Sequence, residues 1–462
     1  MVTPRRSGRL AAAKRVVLAV AVWLLLFAPA RAGARAVLAE PTAPGVSSTA
    51  GPDLAPGRVV VKFRDAAAPI PDRTAQATYG ALAIEVLPLL GAQRWRVAPG
   101  SEDGVARRLA ALPSVEYAEP DRILRLSATP NDPLYTTHQW NLPKINAPAA
   151  WDITIGDPAV VVAVVDSGFD VLHPDGPAHI RLGCDYVRWR LASYGGACPP
   201  VGDDQNGHGT HVAGIVAAGQ NNALGVTGLA PGVTLLVIRT ADAAGSSYMS
   251  DVAQAIREAA DGGARVVNLS LGGTTPSTTL RRAVDDAVAR GLVIVAAAGN
   301  EYQTGNPVEY PAAYPGVLAV GAVTADDGHA SYSNTGAYVG LVAPVGDGGG
   351  AMPTSAITSL YPLTGGAYAM MVGTSQAAPQ VAAAAGLVLS VRPTLGGVKV
   401  VDLLRSTAHP LGGTAPNPTF GYGRLDVRLA LAAAMAGIAP AAAPSLSFHL
   451  FLPVAARAAG QL

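Results

Sequence analysis

The sequence predicts an α/β protein with a doubly wound, mostly parallel sheet, preceded by a small ferredoxin-like α+β domain. Three observations indicate this. Continuous apolar β-rich runs alternate with amphipathic helical patterns through the large central segment, as in parallel sheets that are buried on both faces. A strand-helix-strand pattern occurs twice in a shorter segment ahead of it. The chain has 462 residues, enough for two or three folding units.

Composition excludes two classes of protein. Half of the residues are hydrophobic, 14% are charged, and the formal net charge is +1. Nucleic-acid binding relies on a basic field that this charge balance does not provide. Beyond the N-terminal segment, no apolar run reaches the roughly 18–20 residues that cross a bilayer. We therefore expect no nucleic-acid partner and no stable membrane span.

The N-terminal segment carries an export pattern. Several basic residues precede an unbroken apolar stretch from Val16 to Ala28, and residues 30–32 read Ala-Arg-Ala. A basic region, a short apolar core and a small-residue exit are the parts of a secretory signal peptide. A membrane anchor is the alternative, but the core is short and no stop-transfer pattern follows. We predict a signal peptide at 1–32 and a secreted or extracellular protein.

A linker and a small domain follow. Residues 33–57 are rich in Ala, Pro and Gly and predict a flexible linker. Residues 58–127 combine period-two strand patterns with a helix that Ser101 caps. The predicted strands are 59–63, 83–90, 94–97 and 115–126, and the predicted helix is 101–112.

Residues 128–435 form the predicted large domain, in which functional groups should lie at the carboxyl ends of the strands. The tail at 436–462 returns to Ala and Pro and contains an apolar patch at 448–454. This patch is either a surface-sorting segment or a strand that packs on the core. The predicted strands are 160–165, 234–238, 266–271, 292–296 and 317–323, and the predicted helices are 251–261 and 279–290.

Three motifs lie where strands end or helices begin. Asp166 directly follows a predicted buried strand, where a carboxylate costs several kcal/mol unless it is paired. His208 lies in the run Gly-His-Gly-Thr-His-Val-Ala-Gly at 207–214, and Ser375 begins an Ala-rich helix. Each has an ordinary alternative: a turn or cap Asp, a metal-binding pair with His211, and a helix-capping Ser. Zinc hydrolases of the second kind need His-Glu-x-x-His, and Glu is absent here.

The order of these residues distinguishes among hydrolases. An α/β-hydrolase places its Ser first, in Gly-x-Ser-x-Gly, and here Ala377 stands where that motif needs Gly. Chymotrypsin-like enzymes run His, Asp, Ser. The order Asp, His, Ser is that of subtilisin.

These motifs resemble the three signatures of the subtilisin-like serine proteases, the subtilases. The resemblance covers about residues 58–435, and 131–133 and 144–148 resemble the start of thermitase-type mature enzymes. It implies a serine endopeptidase that cleaves protein or peptide substrates through an acyl-enzyme, and we expect it to be a monomer. It also implies a zymogen whose propeptide, at 58–127, is folding aid and inhibitor and is removed by self-cleavage near 126–131.

The resemblance assigns chemical roles. His208 would take the proton of the Ser375 hydroxyl, and Asp166 would orient the imidazole. The oxyanion would be held by the Ser375 N–H and by Asn300, which follows a predicted strand. A simple Gly-Asn turn is the alternative for Asn300. Gln376 stands where most subtilases have Met, so we expect slow inactivation by peroxide.

Substrate-binding residues are implied in the same way. Ser270, Leu271 and Gly272 resemble the family's substrate-binding strand, and Ser246 and Tyr248 resemble the segment opposite. Together they would hold an extended peptide by strand addition.

Two acidic residues follow the predicted oxyanion residue. Glu301 and Glu309 fall near the primary specificity pocket of the resemblance. If both face the pocket, a basic residue before the scissile bond would pair with them. Two solvated loop acids are the alternative.

Structural calcium is also implied by the resemblance. Carboxylate and carbonyl oxygens in sets of six or more suit this ion. Asp203 and Asp204 offer a weaker second position. The expected ligands are Asp132, Asp175, Gln220, Asn222, Leu224 and Val226.

The two cysteines, Cys184 and Cys198, lie beyond the predicted signal peptide. An even count in an exported chain favours a disulfide, which would stabilise by up to ~3 kcal/mol. Free buried thiols and half of a metal site are the alternatives, and no further Cys completes a zinc site.

Overall fold

The computed structural model describes residues 54–64, 70, 72–122, 129–349 and 354–437. The predicted signal peptide, most of the linker and nearly all of the C-terminal tail lie outside the described residues. Within these ranges, no helix combines the length and the apolar character that a bilayer crossing requires.

The first domain is a four-stranded antiparallel sheet with two helices. Its strands lie in the order β2-β3-β1-β4, which is the predicted ferredoxin-like topology. The side chains of Val59, Val61, Trp95 and Leu109 form its core. Its elements are β1 (Leu54–Phe63), α1 (Asp72–Tyr79), β2 (Ala83–Leu87), β3 (Ala92–Arg96), α2 (Glu102–Ala110) and β4 (Val115–Arg122).

Strand β1 begins earlier than the predicted boundary at residue 58. Pro56 and Gly57 favour a linker by composition, but the carbonyl of Gly57 accepts the N–H of Val97 at 2.9 Å. Gly57 has φ +71°, and the register with β4 shifts between Leu54 and Val59. A glycine bulge therefore carries the strand through a segment whose composition predicts a loop.

The second domain contains a seven-stranded sheet and a separate two-stranded hairpin. Its strands are β5 (Val161–Asp166), β6 (Ile180–Asp185), β7 (Thr234–Arg239), β8 (Val266–Leu269), β9 (Val293–Ala297), β10 (Val317–Val323), β11 (Val339–Pro344), β12 (Ile357–Leu360) and β13 (Tyr368–Met371). Its helices are α3 (Tyr135–His138), α4 (Asn141–Lys144), α5 (Ala147–Trp151), α6 (Tyr186–Leu191), α7 (His208–Ala217), α8 (Met249–Asp261), α9 (Thr278–Ala289), α10 (Thr374–Val391), α11 (Gly397–Ser406) and α12 (Val427–Ala436).

The seven strands are all parallel, in the order β11-β10-β9-β8-β5-β7-β6. Both faces of the sheet are covered. Val162 and Val164 of β5 pack into one core with α7 and α10, whereas Val161 and Val165 pack into another with α8 and α9. This double burial explains the continuous apolar pattern of the strands and confirms the predicted doubly wound class.

Helix α10 is the central helix of one layer. It packs against α7 and against β8, β9, β10 and β11, and nearly all of its side chains are buried. Its many Ala side chains are small, so neighbouring elements approach its backbone closely. The N-terminus of α10 is thereby fixed at the carboxyl edge of the sheet.

Candidate active site

The three sequence motifs meet at the carboxyl edge of the sheet. Asp166 is the last residue of β5, His208 is the first residue of α7, and Ser375 is the second residue of α10. Strand β5 lies inside the sheet, between β7 and β8. The two helices contact each other and β5, so one strand end and two helix N-termini converge.

Asp166 and His208 form a hydrogen-bonded pair. His208 Nδ1 lies 2.8 Å from Asp166 Oδ1, and the same oxygen accepts the N–H of Ser167 at 2.8 Å. Burial lowers the pKa of His208, but the charge of Asp166, its hydrogen bond and the charge of Asp204 outweigh burial, so the pKa is raised. Because the carboxylate holds Nδ1, Nε2 is the ring nitrogen left to accept a proton.

A buried carboxylate, Asp204, holds the beginning of α7. Its oxygens accept the main-chain N–H groups of Gly207 and Thr210, each at 2.8 Å. It also accepts the hydroxyl of Ser167, the neighbour of Asp166, at 2.9 Å. One side chain therefore ties the strand end to the helix that carries the imidazole. An acidic residue just before a Gly-rich helix start is the available sequence signal for this role.

Neither metal-binding alternative for this region is supported. Asp203 forms a salt bridge with Arg239 at 3.0 Å. The carboxylate oxygens of Asp204 accept main-chain N–H groups at the start of α7. The ring of His211 is buried, its Nε2 lies 3.2 Å from the carbonyl oxygens of Ile357 and Ala369, and burial lowers its pKa to about 3. The His211 ring is thus a neutral core group that donates to the main chain.

Two hydrogen bonds join Ser375 to the segment after β8. The Ser375 hydroxyl donates to the Ser270 carbonyl at 3.2 Å, and the Ser270 hydroxyl donates to the Ser375 carbonyl at 2.8 Å. The second bond is available because Pro379 has no N–H to offer that carbonyl within the helix. The proline of the motif thereby allows Ser270 to fix the position of Ser375.

Asn300 is oriented by Thr374. Its Oδ1 accepts the N–H of Thr374 at 2.8 Å and the hydroxyl of Thr374 at 3.0 Å, and that hydroxyl accepts the N–H of Gly299 at 3.1 Å. Among the described residues, the Asn300 Nδ2 and the Ser375 N–H have no hydrogen-bond partner. Two oriented donors are therefore free near the Ser375 hydroxyl. The sequence does not indicate that Thr374 orients the side chain of Asn300.

The predicted substrate-binding strand is unpaired in the structure. Strand β8 ends at Leu269, not at 271 as predicted. The main-chain groups of Leu271 and Gly272 form no hydrogen bond with the described residues, whereas Gly273 pairs with Tyr310 through two bonds of 2.9 Å. Two residues with free main-chain groups therefore lie between the end of β8 and an anchored position.

The segment opposite is partly engaged. Ser246 donates its N–H to Asp242 Oδ1 and accepts the N–H of Asp242, both at 3.0 Å. Tyr248 is exposed, and the guanidinium carbon of Arg190 lies 4.3 Å from its ring centroid. The structure therefore leaves the ring of Tyr248 accessible but uses the main-chain groups of Ser246 in a turn.

The two acids differ in their surroundings. Glu301 Oε2 accepts the N–H of Asn300 at 2.7 Å. Glu309 is 6% exposed, and burial first, then the charge of Glu301, raises its pKa to about 7. The alternative of a solvated loop acid does not hold for Glu309.

The expected calcium ligands converge on one loop. Asn222 donates its side-chain amide to Asp175 Oδ1 at 2.7 Å and its N–H to Asp132 Oδ1 at 3.3 Å, and Val226 donates its N–H to Asp175 Oδ2 at 3.0 Å. The N–H of Leu224 binds Asn222 Oδ1 at 2.8 Å. Asp132 and Asp175 are 2% and 0% exposed.

This loop suits a hard cation. No group of three or more His, Cys, Asp or Glu side chains suited to a metal occurs in the described ranges. Two carboxylates, one amide and main-chain carbonyls are nevertheless the oxygen donors that calcium takes. Neither carboxylate forms a salt bridge with any residue that the structure describes. Two buried negative charges without a cationic side chain fit the expected ion.

Gly219, the neighbour of the expected ligand Gln220, packs closely against this loop. A Cβ on Gly219 would lie 2.4 Å from Asn222 Nδ2 and 3.3 Å from Asp175 Oδ1, so this position has no room for a side chain. The loop turns through left-handed conformations at Asn221 and Ala223. Sequence spacing does not reveal such turns, nor the close packing of Gly219 against the loop.

Cys184 and Cys198 form a disulfide, as predicted, with their Cα atoms 5.5 Å apart. It closes the segment that contains α6. Within this segment Arg190 binds the buried carboxylate of Asp251 at 2.5 Å, and the Tyr194 hydroxyl donates to it at 3.0 Å. The disulfide loop is therefore anchored to the start of α8.

The fold and the site define an α/β serine peptidase. The sequence model of the Subtilase family matches residues 157–423, and that of the Fervidolysin N-terminal prodomain matches residues 40–121. The chain belongs to the subtilase family, and it is a serine endopeptidase with an N-terminal prodomain.

Relatives support this assignment. A Thermophilic serine proteinase of Bacillus sp. (strain AK1) is 37% identical over 80% of this chain and 86% of that protein. Thermitase of Thermoactinomyces vulgaris is 40% identical over 62% of this chain and 94% of that protein. A solved protease structure from Pseudoalteromonas arctica has a TM-score of 0.59 and 32% identity, covering 66% of this chain and all of that chain.

Proposed function

We propose that this chain is a secreted, calcium-stabilised endopeptidase that hydrolyses peptide bonds through Asp166, His208 and Ser375 and is made as a self-processing zymogen. The observation that carries the proposal is the bond of 2.8 Å between His208 Nδ1 and Asp166 Oδ1. It leaves Nε2 as the proton acceptor, at the sheet edge where α10 presents the serine.

The first chemical step forms an acyl-enzyme. The Ser375 hydroxyl leaves its bond to the Ser270 carbonyl, its oxygen attacks the substrate carbonyl carbon, and its proton passes to His208 Nε2. The raised pKa of His208 favours this transfer. His208 then gives the proton to the leaving amine, and water releases the acyl group by the reverse roles.

Charge that develops on the substrate oxygen meets two donors, the N–H of Ser375 and the Asn300 amide. Thr374 orients that amide before substrate arrives, so no reorganisation accompanies the reaction. Asn300→Ala should lower kcat by about 10²–10³-fold.

The free main-chain groups of Leu271 and Gly272 support binding of an extended peptide by strand addition, with the exposed ring of Tyr248 opposite. This mode uses few side-chain contacts. It therefore suits substrates of varied sequence and also the chain's own prodomain, which we propose at 58–127 as inhibitor of the enzyme at 128–435.

Secretion and calcium complete the proposal. The basic and apolar pattern of residues 1–32 supports export. When bound, calcium would cross-link the loop at 219–226 to the segment before α3. Asp132, Asp175 and Asn222, with the carbonyl oxygens of Gln220, Leu224 and Val226, would hold it.

The proposal is tested by expressing the chain from Gly33 with Ser375 intact and as Ser375→Ala, and by following its mass over time. We expect the first to lose its prodomain and to cleave casein, and the second to stay whole. Ser390→Ala, in the same helix, is the matched control and should process normally. If both forms stay whole and neither cleaves casein, the proposal is wrong.

A further inference from the structure

A largely buried carboxylate that has no partner among the described residues lies beside the proposed active site. Glu309 is 6% exposed, and no described residue hydrogen-bonds to its carboxylate or forms a salt bridge with it. Burial of an acid without compensation is unfavourable. Such a carboxylate is stabilised either by taking up a proton or by pairing with a cationic group of a bound ligand.

Two glycines make room for this side chain. A Cβ on Gly272 would lie 3.1 Å from Glu309 Oε2, and a Cβ on Gly299 would lie 2.6 Å from Glu309 Cγ. Gly272 belongs to the unpaired segment that follows Ser270, and Gly299 precedes Asn300. The carboxylate is therefore between the segment that binds substrate and the segment that holds the oxyanion.

A second acid lies at the same place. Glu301 binds the N–H of Asn300 at 2.7 Å and the side-chain amide of Asn334 at 3.4 Å, which fixes it next to the oxyanion donor. The charge of Glu301 also affects Glu309. Burial first, and this charge second, raise the pKa of Glu309 to about 7. The two carboxylates are thus close enough to interact electrostatically, and no described cationic side chain forms a salt bridge with either of them.

We propose that Glu309, assisted by Glu301, binds the cationic side chain of the substrate residue whose carbonyl is attacked, so that the enzyme prefers Lys or Arg at that position. This inference rests on the proposed function. The position follows from the two segments that border Glu309. Gly272 lies two residues after Ser270, which hydrogen-bonds to Ser375, and Gly299 precedes Asn300, the proposed oxyanion donor. A side chain that enters between them belongs to the residue at the scissile carbonyl.

A cation in this slot would complete the surroundings of Glu309. An ammonium or guanidinium group forms charge-assisted hydrogen bonds to carboxylates, which are stronger than neutral ones. Removing one partner of a buried charge pair typically costs 2–5 kcal/mol, and at the lower limit this is about a 30-fold change in kcat/KM.

The test uses the self-processed enzyme and four peptide substrates that differ only in Lys, Arg, Leu or Phe at the scissile carbonyl. For the wild type we expect kcat/KM to be highest for Lys and Arg. Glu309→Gln keeps the shape of the side chain and should lose at least about 30-fold on the Lys substrate, while kcat/KM for Leu changes less than about threefold. Glu301→Gln should show a smaller loss of the same kind.

Three results would overturn the inference. These are a wild type that prefers Leu or Phe, a Glu309→Gln enzyme that loses equally on all four substrates, and a Glu309→Gln enzyme unchanged on Lys. If Glu309→Gln does not fold, the cleavage sites that the wild type makes in denatured casein decide the question alone. A processed wild type that cleaves neutral but not cationic substrates refutes only the inference, whereas an enzyme that cleaves none refutes the proposed function as well.

Discussion

The preference for a cationic side chain should increase with pH, because Glu309 changes its charge near neutrality. Burial first, and the charge of Glu301 second, raises the pKa of Glu309 from 4.5 to about 7. A carboxyl group with that pKa is roughly one-tenth ionised at pH 6 and nine-tenths ionised at pH 8. Since only the ionised form attracts the cation, the ratio of kcat/KM for Lys to kcat/KM for Leu should rise about tenfold between these pH values.

The ratio isolates this titration. Ionisation of His208 affects both substrates equally and cancels, and kcat/KM reports the pKa values of the free enzyme. Tyr338, which is coupled to Glu309, has a pKa that burial raises to about 12 and stays neutral throughout. The substrate Lys, with an ordinary pKa near 10.4, stays charged.

Replacing Glu301 provides a second test of the titration of Glu309. Glu301→Gln removes the second cause of the raised pKa of Glu309, so the midpoint of the ratio should move to lower pH. Glu309→Gln should make the ratio independent of pH. A ratio that is flat in the wild type, or that still titrates near pH 7 in Glu309→Gln, would refute the reasoning.

Four further outcomes are expected. Gln376→Met should make peroxide inactivation several-fold faster than in the wild type, since a thioether oxidises beside the nucleophile; equal rates would contradict this. Replacing Cys184 and Cys198 by Ser should lower the free energy of unfolding by up to ~3 kcal/mol in urea, and an unchanged midpoint would count against it. Chelation of calcium should lower Tm by roughly 5–10 °C if the ion is present at about 100 times its Kd, and added calcium should restore it. Self-processing should follow the cationic preference, so mass spectrometry should find a mature chain that begins at Leu126, after Arg125 and two residues before the proposed domain boundary at 128; a neutral residue before the cut would argue against that preference.

The sequence predicts most strongly those elements that are buried on both faces. Strand β10 has the predicted bounds, β7 is one residue longer than predicted, and β5 is shifted by one residue at both ends. The agreement is close because continuous apolar runs have one structural explanation in a covered parallel sheet. Other elements escape prediction. Strand β6 lies at the edge and exposes Ile180 and Leu182, and α1 contributes just a buried Ala75 and a partly buried Tyr79 to the core. Such short elements have weak periodicity and depend on tertiary contacts.

In the candidate site, too, the residues that lie at the ends of regular elements are predicted from the sequence, whereas those that depend on loops are not. Motif position predicts Asp166, His208 and Ser375 because strand ends and helix starts of one sheet converge. The groups that orient them depend on loops whose paths are not local. Asp204 holds a helix start through main-chain N–H groups, and Thr374 orients an amide from a segment far along the chain. Hydrogen bonds of this kind leave no spacing signal in the sequence.

The segment at 270–273 links the nucleophile, the substrate and the specificity acid. Ser270 fixes α10 through a carbonyl that Pro379 leaves free, and the next two residues have unpaired main-chain groups. Gly273 then pairs with Tyr310, the neighbour of Glu309. Because the segment is anchored at both ends, a substrate that pairs with its middle is placed against the Ser375 hydroxyl and the buried carboxylate together. The register of the bound peptide and the recognition of its charge thus depend on one continuous piece of backbone. For this reason Glu309, which lies behind Gly272, can select the residue at the scissile carbonyl.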